Sequence, residues 1–349
     1  MNLQTKCKRI KWVAILWVAC CSSLMAQQIS MEIRIGQGTE AVGLPLQRPE
    51  VLQGRIESVL SPLKIQVTHS NEGALAQAIG TNPHYLEVTG PSGHLLVGER
   101  FELDEEACRS LPDGTLALES SPLNTLSAAD SQLLGAEYVI IPHWTLERVL
   151  GEMIRHRLSL PKPSGTPTVW LPLGNGTNLK LIPRLSLPPQ SRLAWILDRS
   201  TVWPAQKTIL PPGTAFLMKN PSAFGYGFSL GGDQRKTSCR APLTSGPNLV
   251  SYPFASDLRL GLDWGKESDG LAASASPTSC DRIYLYDGEN LYIYGLEKSG
   301  RWMRILGWGS ESVRWDVSGP ALSTIPAGQG FVLFKLKSDP LHIFRPPQP

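Results

Sequence analysis

Cysteine is scarce in this chain and unevenly placed. Of six, Cys7, Cys20 and Cys21 fall in the first 26 residues, and only Cys108, Cys239 and Cys280 follow. No Cys-x-x-Cys pair and no Cys/His cluster with ligand spacing occurs, which argues against a structural zinc site. Charge is sparse as well, at 18% of 349 residues against about 25% in average globular chains. Phosphate-binding glycine loops are missing. There is no Gly-x-x-x-x-Gly-Lys, and Gly36-Gln37-Gly38 lacks the third glycine of a dinucleotide fingerprint. His69, His84, His94, His143, His156 and His342 are scattered, with no spacing that suggests a nucleophile and its base. These absences lead us to expect a non-enzymatic binding or structural protein, with no cofactor, no metal and no catalytic residues; the alternative is a hydrolase whose site forms only in three dimensions. Beyond residue 26 no apolar run approaches the roughly 20 residues of a membrane-spanning helix.

What is present points to β-structure. Hydrophobic residues make up 42% of the chain, enough for a packed core. The 32 glycines and 29 prolines break helices and favour turns, so many short strands are expected. The length suggests about two domains.

The start has the order of a secretory signal. Lys6, Lys8, Arg9 and Lys11 form a positive region, Trp12–Cys21 an apolar one, and Ser22–Ala26 a small-residue cleavage region before Gln27. A lipidated Cys20 or Cys21 is the alternative. Val18-Ala19 suits it, whereas Trp17 stands where a lipobox wants an aliphatic residue. Without residues 1–26 the chain carries 29 basic and 30 acidic residues. It then lacks the basic stripe of a nucleic-acid binder. The expected location is therefore exported: periplasm, outer membrane or cell surface.

Alternation and turn residues predict strands at Ile29–Ile35, Val51–Leu60, Leu63–His69, Tyr85–Thr89, Leu95–Leu103, Thr115–Glu119 and Tyr138–Ile141. Asn71–Gly80 is Ala-rich enough for a helical turn. Leu146, Val149, Leu150, Met153 and Ile154 share one helical face within Trp144–Leu158. The proline-rich stretch 161–168 must be extended. Later, Ile209–Lys219 resembles Ile325–Lys335, each a Pro-Gly turn feeding an apolar strand. An apolar run ending in Asp precedes each, at Leu193–Asp198 and Arg282–Asp287. The expected fold is mainly β. An N-terminal β-barrel-like domain spans 27–160, 161–168 is a linker, and 169–349 holds a pair of related β-units in a β-sandwich-like arrangement (about 169–230 and 245–340). One or two short helices complete it.

Several motifs occur in a set order: Gly43–Pro49, Glu137–Leu146, Ile209–Pro221, Asn248–Pro253 and Pro326–Phe331. In this order the chain resembles an uncharacterised family of exported, β-rich proteins of the Verrucomicrobia and Planctomycetes group. Pro247 stands where that family has Trp. The resemblance implies architecture and compartment, and it carries no catalytic residues.

The candidate binding feature is the hairpin Arg282–Tyr294. A three-residue loop, Gly288-Glu289-Asn290, pairs Tyr286 with Tyr292 and Tyr284 with Tyr294. All four tyrosines then share one face, and Ile283, Leu285, Leu291 and Ile293 share the other. Pairing Tyr286 with Leu291 instead mixes the faces. Segregation favours the first register. It makes Tyr284, Tyr286, Tyr292 and Tyr294 an outward platform for a glycan or an envelope protein, extended by Trp302, Trp308 or Trp315. The competing reading is plain cross-strand pairing within a sheet. Other features have bland readings: Asp104-Glu105-Glu106 as a solvated turn, His143-Trp144 as a plug at the base of the β-domain, and Asn175-Gly176-Thr177 as a hairpin turn rather than a glycosylation site. Cys239 and Cys280 are the candidate disulfide.

Overall fold

The computed structural model describes residues 29–347, apart from 70–78, 81, 92, 112, 120–129, 159–165, 173–177, 186–192, 198–200, 223–224, 287–289 and 338. The secretory segment, most of Asn71–Gly80, most of the proline-rich stretch, the Asn175 sequon and the tip of the tyrosine hairpin thus lie outside the described residues. The protein is mainly β, as composition predicts, and is built on three six-stranded antiparallel sheets.

One sheet forms the barrel-like part. Its order is Arg100–Glu102, His84–Gly90, Glu137–Pro142, Leu52–Ser61, Lys64–His69 and Thr115–Ala117. The two outer strands come together through a Leu103–Leu118 bridge and a bond from Glu119 N to Glu102 O of 2.9 Å. The inside is filled by Ile56, Ile65, Leu86, Val88, Phe101, Leu116 and Ile140. Alternation places these side chains inward. The acidic run starts a short helix, Glu105–Ser110, rather than a plain turn, and Asp104 caps it by accepting from Ala107 N.

The other two sheets share one strand order. The first runs Thr201–Trp203, Leu193–Leu197, Asn178–Leu185, Thr168–Pro172, Phe216–Asn220, Gly38–Val42. The second runs Arg314–Trp315, Trp302–Leu306, Leu291–Leu296, Arg282–Tyr286, Gly330–Lys335, Gly246–Ser251. Each is accompanied by a strand pair: Ile29–Ile35 with Tyr226–Gly232, and Cys239–Leu243 with Asp339–Phe344. Each also has a two-residue ladder: Trp144–Thr145 with Ile209–Leu210, and Leu258–Arg259 with Thr324–Ile325. The sheets join reciprocally. Gly43 N donates to Gly328 O at 2.8 Å, and Ser251 N donates to Gly213 O at 3.0 Å. Gly213 and Gly328 both sit at positive φ in the Pro-Gly turns, a conformation that costs glycine little.

These pairings divide the chain differently from the expected 27–160 domain. Ile29–Val42 pairs with strands from 216–232 and lies outside the barrel sheet. The helix, Leu146–Leu158, packs Leu146, Leu150 and Ile154 into the first sheet's core beside Trp195 and Phe216. Trp144 and Thr145 precede it as strand. Local periodicity marked Ile29–Ile35 as a strand but carried no information about a partner 200 residues away.

Candidate functional site

The second sheet has an inner and an outer face, set by register. Tyr286 stands opposite Leu291, Tyr284 opposite Ile293, and Arg282 opposite Gly295. Tyr284 and Tyr286 therefore share the outer face with Leu291 and Ile293. Tyr292 and Tyr294 turn to the inner side, against the cluster holding Ile283, Leu285 and Phe331. This corrects the expected four-tyrosine ladder. Gly295 supplies the physical reason: a Cβ there would lie 2.6 Å from Cys280 Sγ and 2.9 Å from Trp315. The register brings the one residue without a side chain under that crowded point. Arg304 also lies over the Tyr292 ring at 4.9 Å, which occupies that tyrosine.

The expected disulfide is corrected too. Cys108, Cys239 and Cys280 are buried free thiols. Cys239 packs in the core with Phe344 and Leu243, while Cys280 lies against Gly295. Burial pushes the Cys280 thiol up to about 11, so it is a poor nucleophile.

The three tryptophans separate cleanly. Trp302 is core, donating from Nε1 to Gly265 O at 3.0 Å. Trp315 is half-buried and donates to Ala275 O at 2.8 Å. Trp308 is 38% exposed, between Gly307 and Gly309, both at positive φ. Its ring lies 4.4 Å from the Arg282 guanidinium carbon, and Phe334 lies 4.5 Å from that same carbon. Arg282, Trp308 and Phe334 thus form a stack beside Tyr284, which with Tyr286, Ile293 and Val332 is half-buried on this face; Leu291 is exposed. Sequence reasoning missed Arg282 and Phe334. The one available signal was Gly-Trp-Gly, a large ring in a turn.

A second polar cluster lies where the barrel meets the rest of the chain. Arg235 pairs with Glu87 and donates to Tyr85 Oη at 3.0 Å; Thr237 Oγ1 donates to Glu87 Oε1 at 2.6 Å. Burial works against the Arg235 charge, but Glu87 beside it raises the pKa above its ordinary value. Burial also raises that of Tyr85. Arg240 reaches across to Val97 O at 3.0 Å and Glu99 Oε2 at 3.2 Å. Gly98 is tight here: a Cβ would sit 2.3 Å from Ser238 O. His143 is fully enclosed, with Nε2 2.6 Å from Glu102 Oε2 and its ring centre 4.6 Å from that of Tyr85. Trp144 Nε1 donates to Leu46 O at 2.8 Å. His143-Trp144 is therefore part of this seam.

His84 is buried in the same seam, near Arg48, His143 and Glu105. Burial lowers its pKa from 6.5 to about 4. The unfolded chain binds the proton more readily, so this histidine's contribution is fully present above pH 6.5 and is lost as pH falls to 4. Denaturation across that range should show an acid loss of about 1–3 kcal/mol in the wild type that His84→Gln lacks. Equal slopes would contradict the assignment.

Among the described residues no group of three or more His, Cys, Asp or Glu is arranged to hold a metal ion, and no helix is long and apolar enough to cross a membrane. Comparison with models of protein families, with curated proteins and with solved structures found no match.

Proposed function

We propose that this chain is an exported, non-enzymatic binding protein of the cell envelope or surface, working through the outer face of its second sheet. The observation that carries the reading is the stack of Trp308 on Arg282 on Phe334, which continues into Tyr284 and its half-buried neighbours. Aromatic rings held on a strand scaffold present large contact area at low entropic cost. The ionisable groups of the seam support the same reading. Glu87, Arg235, His143 and Arg240 are engaged in holding parts of the chain together. The N-terminal charge and apolar pattern supports export, in keeping with the resemblance to exported β-rich proteins.

The architecture fits a duplicated β-unit. In the first copy the barrel is inserted between Leu46 and Trp144; in the second only Ala255–Asp257 separates Phe254 from Leu258. The unit is then about 29–46 with 144–232, and 239–344. The barrel becomes an added module clamped by the seam.

Cell fractionation with mass spectrometry of the mature N-terminus tests export. A shaved or periplasmic protein beginning at Gln27 is expected. A cytoplasmic protein retaining Met1 would overturn the reading, and acylation at Cys20 or Cys21 would replace the cleavage site while keeping export.

A further inference from the structure

We infer that the Arg282–Trp308–Phe334 stack is a recognition site for acidic sugars, polysaccharides carrying carboxylates such as uronates. The inference rests on the binding reading above and names its ligand class.

Arg282 is the reason for the acid. It is only 5% exposed, and Nη1 donates to Thr278 O at 3.3 Å. Nε is buried without an acceptor. Among the described residues no carboxylate forms an ion pair with it. The neighbouring Asp281 is committed elsewhere: Oδ1 accepts from Leu336 N at 2.8 Å, and Oδ2 accepts from Ala272 N at 3.0 Å and lies 3.7 Å from Lys335 Nζ. A buried cation with an unused donor is costly. The two aromatic faces offset part of that cost and fix the plane of the guanidinium. What stays unsatisfied is an in-plane N–H, the donor type that Arg offers to carboxylates in planar, often bidentate, geometry.

Trp308 is the reason for the sugar. One side of the ring is held on Arg282, and the residue keeps 38% of its surface exposed. A flat ring fixed from behind is a stacking surface for the C–H face of a pyranose. Tyr284, Tyr286 and Leu291 extend the face for further residues of a polymer. A simple inorganic anion would use the cation but leave the aromatic surface idle. A neutral glycan would use the rings and could offer Nε a hydroxyl oxygen, but it brings no charge to balance the guanidinium.

The test is affinity electrophoresis and biolayer interferometry in 0.15 M salt. The probes are polygalacturonate, its fully methyl-esterified form and polyglutamate. Polygalacturonate should bind, with the ester and polyglutamate each at least tenfold weaker. Trp308→Ala, a change at a part-exposed ring, should weaken polygalacturonate binding at least tenfold while the protein stays folded at the assay temperature. Arg282→Gln should remove the preference over the ester. Equal binding of acid and ester, or a Trp308→Ala protein that binds polygalacturonate as the wild type does, overturns the inference. Trp308-dependent binding to the ester or to polyglutamate as tight as that to polygalacturonate would overturn it while leaving the general binding reading intact. No binding to any probe overturns the acidic-sugar assignment alone; the general reading then fails only if a wider glycan and protein array is also silent.

Discussion

Glu87→Gln should destabilise the protein by about 3–5 kcal/mol, because it leaves the Arg235 charge buried without its counter-charge. Both side chains are about 1% exposed, so water cannot take over the role. Arg235→Met alone strands Glu87, with Thr237 its remaining side-chain donor, and should cost a similar amount. The double variant Glu87→Gln with Arg235→Met should recover much of the loss, since replacing a whole buried pair by neutral groups is often near neutral. Urea denaturation of the four proteins measures this directly. Additive losses would show that the two groups do not act as a pair. The pair also spans the seam, so the single variants should loosen the barrel first. Hydrogen exchange concentrated in 84–90 and 137–142 would report that.

Trp302→Ala should cost about 3–5 kcal/mol, the range for deleting a large buried ring. Its ring is 1% exposed within the core that also holds Trp264, Phe331 and Phe344, and its indole N–H is satisfied by Gly265 O. Trp308→Ala should cost less than about 1 kcal/mol, because that ring covers one guanidinium at the surface. The contrast matters for function. Two tryptophans six residues apart are assigned opposite roles, one to the core and one to a ligand. Thermal unfolding of both variants checks it. A Trp308→Ala protein as damaged as Trp302→Ala would make the stack a structural device.

Much of the strand content was legible because it is local. Alternation at Ile65 and Val67, and the Pro-Gly turns before Phe216 and Phe331, predict strands that form. The helical face of Leu146, Leu150 and Ile154 was legible for the same reason. What stayed hidden was long-range. Ile29–Ile35 gives no sign of pairing with Tyr226–Gly232, and nothing near Arg235 signals Glu87, 148 residues earlier. The similarity of Ile209–Lys219 to Ile325–Lys335 pointed to two related units. The edge strands of the two sheets, at Gly38–Val42 and Gly246–Ser251, are too different in side chains to be matched by eye. The tyrosine platform failed on one residue of register. Side-chain segregation favoured one pairing, but crowding at Gly295 imposes the other. The stack on Arg282 was hidden because its members come from 282, 308 and 334, and only folding brings them together.

The central claim is that the outer face of the second sheet binds a ligand outside the cytoplasm. The most direct measurement applies the mature protein from Gln27, and the same protein with Trp308→Ala and Tyr284→Ser, to one array of glycans and envelope proteins. The account predicts binding by the parent protein and a loss of at least tenfold in the double variant, with both proteins folded at the assay temperature. Identical binding by the two proteins would contradict it.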